Sequence, residues 1–166
     1  KEALQKHTEV CEGQMVPYVQ EILDAFIEDV IEEDPDVLIL SGDLTLDGEK
    51  LSHEELAGKL RAIEDEGIPV LVIPGNHDIN NPQAKGFAGA DTYKVDWTTP
   101  EDFREIYGEF GYDEAFTEEE NTLSYFYELE SDMWIMMLDS CQYETVCKVG
   151  GMIQDTTYDW FEPYLL

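Results

Sequence analysis

The stretch Val70-Leu71-Val72-Ile73-Pro74-Gly75-Asn76-His77-Asp78 decides the fold of this chain. Four apolar residues, three of them β-branched, predict a short buried strand, and the following proline and glycine predict that it ends in a loop. The loop then presents an amide, an imidazole and a carboxylate, which are groups that bind metal ions or transfer protons. The stretch therefore predicts a strand whose carboxyl end carries chemistry.

A second strand of the same kind lies 33 residues earlier in the chain. There Val37-Leu38-Ile39-Leu40 precedes Ser41-Gly42-Asp43-Leu44-Thr45, so another apolar run breaks at a glycine and presents polar side chains. One helical pattern separates the two runs, which predicts a strand–helix–strand unit with parallel neighbouring strands. Both loops should leave the same carboxyl edge of the sheet, where open α/β folds bind their ligands.

The ordered pair of Gly42-Asp43-Leu44-Thr45 and Gly75-Asn76-His77-Asp78 resembles the calcineurin-like metallophosphoesterase superfamily. The Gly-Asp-Leu-Thr form looks like the cyclic-nucleotide phosphodiesterase branch of that superfamily. The resemblance extends less specifically from about Tyr18 to the end of the chain. It implies an α/β fold, namely a partial α/β/β/α sandwich truncated at both ends, with residues 1–166 as a single domain fragment.

The resemblance also implies an activity and roles for individual residues. The parent protein would hydrolyse phosphate mono- or diesters through a metal-bound hydroxide, with His77 as the general acid. Asp43 and Asn76 would be ligands of two divalent ions, for which Mn, Fe, Zn and Mg are all compatible. The residues expected to support this site are Asp78, by hydrogen bonding, and Gly42 and Gly75, by allowing close backbone approach.

Two motifs of the superfamily are missing from the sequence. Gln5-Lys6-His7 does not form the Asp-x-His of a first strand, and no histidine follows His77 to form a Gly-His-x-His. Asp43 and Asn76 are too few to complete the ligand shell of an ion. We therefore expect no complete dinuclear site in this chain and no activity of the fragment on its own.

Two other classes of function stay open. One is a noncatalytic binding or scaffold domain with the same fold, and the other is an acidic cation-binding protein, although the Asp-x-[Asp/Asn]-x-[Asp/Asn]-Gly calcium loop is absent. Some polar residues near the motifs have simpler interpretations. Thr45 and Asp47 lie in the loop of Asp43 and could support the site without binding an ion, but we expect them to be solvated loop residues. We expect His53 to be exposed rather than a ligand.

The composition limits the partners. Nine basic and 39 acidic residues give a net charge of −30, which repels a nucleic-acid backbone unless metal ions or another subunit supply positive charge. A small-molecule or phosphoprotein phosphate ester is the expected substrate.

Cys11, Cys141 and Cys147 lack CxxC spacing and suggest neither a disulfide framework nor a zinc site, although the last two could pair in an exported protein. The sequence shows no membrane span or signal peptide, and it leaves localisation and oligomeric state open.

The remaining elements follow from periodicity and turn signals. We predict a helix from Gln14 to Asp34-Pro35, a second helix opened by a capping box at Ser52 and Glu55, one long loop over 78–100, a helical region over 101–116, an antiparallel hairpin of 123–129 with 133–138, and a final helix from Tyr158.

Overall fold

The computed structural model describes residues 2–10, 15–142 and 150–165, and for residues 7–10 it describes only the backbone. The helices are α1 Glu2–Val10, α2 Val19–Glu33, α3 Lys50–Glu64, α4 Pro100–Ile106 and α5 Asp155–Phe161. The strands are β1 Leu38–Leu40, β2 Val70–Val72, β3 Lys85–Ala88, β4 Asp91–Lys94, β5 Thr117–Glu118, β6 Tyr125–Glu130 and β7 Met133–Met137. In this described part of the chain, no helix has the length and apolarity needed to cross a membrane.

The parallel pair of β1 and β2 lies at the centre of the fold, with Leu38 opposite Val70. This pairing confirms the predicted strand–helix–strand unit. Helix α3 connects the two strands and buries Leu60 and Ile63, both fully inaccessible to solvent, in the core that includes β2. Because β2 is buried on both faces, the loop that follows it leaves from a rigid base.

Helix α2 packs on α3 and the core with most of its buried surface in its second half. Ile27 and Val30 are buried, whereas Val19 and Ile22 are about half exposed. The predicted apolar stripe therefore covers the core over part of its length only. The predicted start of this helix, Gln14, lies outside the described residues, and so does Cys147, the possible partner of Cys141.

An antiparallel sheet of β5, β6 and β7 packs beside the parallel pair. Tyr125 of β6 lies opposite Met137 of β7, which confirms the predicted hairpin. The Tyr125 hydroxyl accepts a hydrogen bond from Val72 N and donates one to Val72 O, each at 3.1 Å, and so joins this sheet to β2. The described residues thus form a mixed α/β fold with small sheets, which is consistent with part of the sandwich that the resemblance implies.

The predicted capping box at Ser52 and Glu55 is wrong, because α3 begins earlier, at Lys50. The residue before it, Glu49, is buried, and its carboxylate accepts hydrogen bonds from Asp47 N and Lys85 N. These contacts fix the chain at Glu49, so the helix starts directly after this residue and Ser52 falls inside it.

A capping box does occur at the start of α4. Asp102 N donates to Thr99 Oγ1 and Thr99 N donates to Asp102 Oδ2, each at 3.1 Å. The two side chains therefore satisfy backbone donors that have no partner within the helix.

The predicted loop over 78–100 is also wrong in part, because it contains the hairpin of β3 and β4. The two strands are joined by Gly89-Ala90, with Gly89 at φ +61°. A glycine at the first position of a two-residue turn allows the positive φ that tight hairpins require. This hairpin projects beside the two motif loops and forms one wall of a cleft described below.

Candidate functional site

The two motif loops meet at their glycines. Gly42 has φ +95°, and a Cβ atom placed on it would lie 2.3 Å from Gly75 N. A Cβ on Gly75 would in turn lie 2.2 Å from Asp43 N. No side chain fits at either position without moving backbone, so both glycines are needed for the loops to come this close.

Asp43 and Asn76 lie together at this junction. Asp43 is exposed and has φ +52°, a left-handed conformation that aspartate and asparagine tolerate better than most residues. Its Oδ1 accepts a hydrogen bond from His77 N at 3.1 Å, so the side chain of the first loop holds the backbone of the second. Both Asp43 and Asn76 line a small cavity of about 230 Å³, which we call the inner cavity.

The inner cavity is closed on its other side by residues from the end of the antiparallel sheet. Its lining includes Ser140 and Cys141 next to Gly150 and Gly151. The Cys141 thiol donates to Pro74 O at 3.4 Å, and burial raises its pKa, so the sulfur stays protonated at neutral pH. The cavity therefore presents one carboxylate, amide and hydroxyl oxygens, and backbone.

His77 points away from the inner cavity toward a larger cleft. Its side chain is 48% exposed, and Nδ1 donates to Leu46 O at 2.9 Å. This contact leaves Nε2 as the ring nitrogen available for proton transfer. The Asp47 Oδ1 atom lies 3.8 Å from Nδ1, so a carboxylate stands beside the ring.

Asp47 is not the solvated loop residue that the sequence predicts. It is only 7% exposed, forms an ion pair with Lys85 of β3 and accepts a hydrogen bond from Asn81 Nδ2. Lys85 thus compensates the buried carboxylate that lies next to His77. The expectation failed because the hairpin that supplies Lys85 was not predicted.

Asp78 joins the two loops through both of its carboxylate oxygens. Oδ1 accepts hydrogen bonds from Leu44 N at 2.9 Å, Thr45 N at 3.1 Å and Thr45 Oγ1 at 3.2 Å, and Oδ2 accepts one from Gly75 N at 2.8 Å. The side chain is fully buried. Burial raises the pKa of Asp78, and the backbone donors oppose that rise because they stabilise the charged form.

His53 also belongs to this network and is fully buried, so the prediction that it is exposed is wrong. Its Nδ1 lies 2.8 Å from the Tyr107 hydroxyl, and its Nε2 lies 3.3 Å from Thr45 Oγ1. The Thr45 hydroxyl donates to Asp78, so its oxygen can accept a hydrogen bond from His53 Nε2. A neutral His53 that donates from Nε2 and accepts at Nδ1 from the Tyr107 hydroxyl therefore gives both ring nitrogens and both hydroxyls a partner. Burial lowers the pKa of His53 to about 4, in agreement with a neutral ring.

The helical pattern of α3 contains a signal for this burial. His53, Ala57 and Leu60 are spaced at i, i+4 and i+7, and all three lie on the buried face. The expectation of exposure rests instead on the position of His53 in the first turn of the helix.

The metal that the resemblance implies can be tested against these side chains. In the ranges 2–10, 15–142 and 150–165, no group of three or more His, Cys, Asp or Glu side chains could hold a metal ion. Asp43 and Asn76 lie together and are suitable oxygen ligands, but two groups fall short of the ligand shell of a divalent ion. The described residues therefore do not fit a complete dinuclear centre.

Comparison with known proteins gives one positive result. Residues 16–163 match the model of a family described as calcineurin-like phosphoesterases. No curated protein matches the chain significantly. The matched range includes both motif loops, the β3–β4 hairpin and the antiparallel sheet.

Proposed function

The chain belongs to the calcineurin-like phosphoesterase family, and from this premise we propose that the protein hydrolyses phosphate mono- or diesters with His77 as the general acid. The observation that supports the proposal is the meeting of the two loops, in which Asp43 Oδ1 accepts a hydrogen bond from His77 N at 3.1 Å. This contact holds the loop that carries His77, whose imidazole would protonate the leaving oxygen, against the ligand-type carboxylate of Asp43.

The surroundings of His77 suit that role. Because Nδ1 donates to Leu46 O, the transferable proton would be carried by Nε2, which is the nitrogen left for a substrate. The Asp47 carboxylate lies 3.8 Å from Nδ1, on the side of the ring away from Nε2. The ion pair of Asp47 with Lys85 fixes this carboxylate beside the ring.

Asp43 and Asn76 would contribute one carboxylate and one amide oxygen to a metal site in the inner cavity. When bound, divalent ions supply activation of water and neutralisation of phosphoryl charge, and Mn, Fe, Zn and Mg remain candidates. Since the described residues provide only this part of a ligand shell, we expect the 166-residue chain to be inactive when assayed alone. Its own contribution to the reaction is the paired oxygen ligands and the proton from His77.

The role of His77 is tested by the dependence of rate on the leaving group. In the full-length protein, His77→Ala should lower turnover strongly on alkyl phosphates, whose leaving oxygen needs a proton, and much less on 4-nitrophenyl phosphate. Loss of a general acid typically costs 10²- to 10⁴-fold. Tyr158→Ala is a matched control, because this ring is similarly exposed, at 51%, but lies on α5 and lines neither cavity. Equal losses on both substrates would argue against the acid role.

The ligand role of Asp43 is tested separately with Asp43→Asn. Asparagine tolerates the φ of +52° and keeps an oxygen, so the change removes charge without adding backbone strain. We expect weaker binding of Mn²⁺ by calorimetry and a loss of turnover on both kinds of ester. Unchanged Mn²⁺ affinity would contradict the assignment.

A noncatalytic binding or scaffold domain is the second candidate. The observation that favours it is that no group of three metal-ligating side chains occurs among the residues that the structure describes. Assays of the full-length protein against cyclic nucleotides, phosphoproteins and simple esters distinguish the two. Absence of activity on all of them, with divalent ions bound, would favour this second candidate.

A further inference from the structure

A large cleft opens beside His77, on the side opposite the inner cavity. Its volume is about 730 Å³, and we call it the outer cleft. One wall is the β3–β4 hairpin, which contributes Phe87 and Tyr93, and the other is the first half of α2, which contributes Val19 and Ile22. The outer cleft therefore lies between two elements that both contribute apolar side chains to its lining.

The outer cleft and the inner cavity share Asp43. This residue lines both, whereas Asn76 lines only the inner cavity and His77 only the outer cleft. A phosphate ester bound at the ion site that the proposed function places beside Asp43 and Asn76 would direct its leaving oxygen toward His77 and the rest of the leaving group into the outer cleft. Continuity with the proposed site thus favours the substrate as the occupant.

The chemistry of the lining indicates what kind of leaving group fits. The apolar side chains at its edges are well exposed, at 72% for Leu51, 55% for Tyr93 and 50% for Ile22. Such a concentration of exposed apolar groups indicates a binding surface. A bound apolar group would remove these side chains from water.

The charges of the lining exclude a second anionic group. Its two lysines are both engaged, since Lys59 pairs with Asp24 and Lys85 pairs with Asp47. The lining also carries the carboxylates of Glu49 and Glu55, in a protein of net charge −30. A phosphate or carboxylate on the leaving group would meet repulsion there.

We propose that the outer cleft binds the leaving group of the substrate, and that this group is apolar and uncharged. The proposal rests on the proposed function, because it places the phosphoryl group beside Asp43 and Asn76, where divalent ions would neutralise its charge. It narrows the substrate class to phosphate esters of apolar alcohols. It also makes esters of nucleotides and other polyanions poor substrates.

Alkyl phosphates of increasing length test this assignment, because their leaving alcohols have closely similar acidity and differ mainly in apolar surface. Full burial of one methylene strengthens binding about fourfold. In a half-open cleft we therefore expect kcat/KM to rise about twofold for each added methylene. For the seven additional methylenes of octyl phosphate over methyl phosphate, we expect kcat/KM of the full-length protein to rise about 100-fold. A ratio near one would overturn the proposal while leaving phosphate-ester hydrolysis intact.

Two matched leucine variants locate the effect. Leu51→Asp places a carboxylate at the edge of the outer cleft, and Leu165→Asp places the same charge on a leucine that is 63% exposed and lines neither cavity. We expect Leu51→Asp to lower the octyl-to-methyl ratio about tenfold, since the alkyl chain would have to desolvate a charge, and Leu165→Asp to leave it unchanged. Equal ratios in the two variants would overturn the proposal.

A direct binding measurement separates this proposal from the proposed function. If the protein hydrolyses no ester, the function fails, and a fluorescence titration with 1-naphthol alone decides the outer cleft. Saturable binding that is weakened by Leu51→Asp and not by Leu165→Asp supports an apolar ligand. Absence of saturable binding overturns the proposal. A dimer that Leu51→Asp dissociates also overturns it, because a second copy of the chain would then occupy the outer cleft.

Discussion

Replacement of His53 by glutamine should change how the stability of the protein depends on pH. The ring is fully buried, and burial lowers its pKa from 6.5 to about 4 in the folded state. Because the unfolded chain binds a proton on His53 more readily than the folded chain, protonation favours unfolding. The contribution of neutral His53 to the free energy of unfolding is fully present above pH 6.5 and is lost progressively as the pH falls toward 4.

The size of the loss follows from the two pKa values. Between pH 7.5 and pH 5.0, a histidine with pKa 6.5 unfolded and about 4 folded lowers the free energy of unfolding by about 2 kcal/mol. Asp78, Tyr107 and Glu49 surround the ring and contribute their own pH dependence. We therefore compare the wild-type protein with His53→Gln. From pH 7.5 to pH 5.0, the free energy of unfolding of His53→Gln should fall by about 2 kcal/mol less than that of the wild-type protein.

Urea denaturation at pH 5.0, 6.0 and 7.5, followed by tryptophan fluorescence, measures this difference. If the free energies of unfolding of the two proteins differ by the same amount at every pH, His53 is not kept neutral by the fold and the argument is refuted. The wild-type protein provides an independent measurement if the variant does not fold. By NMR, the Cε1 proton signal of His53 should not titrate between pH 5.0 and 7.5, and a midpoint inside this range would also refute it.

Two further predictions concern the backbone junction and the contact between the sheets. Gly42→Ala should lower the free energy of unfolding by more than about 2 kcal/mol, because φ is +95° and the new Cβ would lie 2.3 Å from a backbone nitrogen of the second loop. Gly67→Ala, at φ +88° with open space around the Cβ, should cost only about 1 kcal/mol in the same thermal and urea unfolding experiments. Tyr125→Phe should cost about 1–3 kcal/mol, because both backbone groups of Val72 lose a buried partner, whereas Tyr158→Phe should stay within about 0.5 kcal/mol.

The parts of the fold that could be predicted from sequence are those with local signals. The two apolar runs end at glycines, and the connectivity rule for parallel strands then brings Asp43 and Asn76 to one edge of the sheet. The β6–β7 hairpin was predicted for a similar reason, since alternation and a polar turn lie in one short stretch. Neither prediction needed knowledge of distant residues.

The parts that failed depend on contacts between distant residues. The start of α3 is set by Glu49, which is fixed by Lys85, 36 residues away. His53 is buried against Tyr107, 54 residues away, and no local pattern identifies that partner. The outer cleft likewise needs the β3–β4 hairpin and α2 on opposite sides, so its existence followed from neither segment alone.

The geometry of the candidate site is set by hydrogen bonds within the protein. Asp78 accepts four hydrogen bonds from the two loops, and the contact of Gly42 with Gly75 fixes their separation. These contacts involve no ligand, so they hold Asp43 and His77 in place before any ion or substrate binds. Such preorganisation is what a catalytic site needs, since groups that are already positioned cost little to order during the reaction. Both a phosphoesterase and a noncatalytic binding domain can use the same rigid loops, so this junction is ordered for either of the proposed functions.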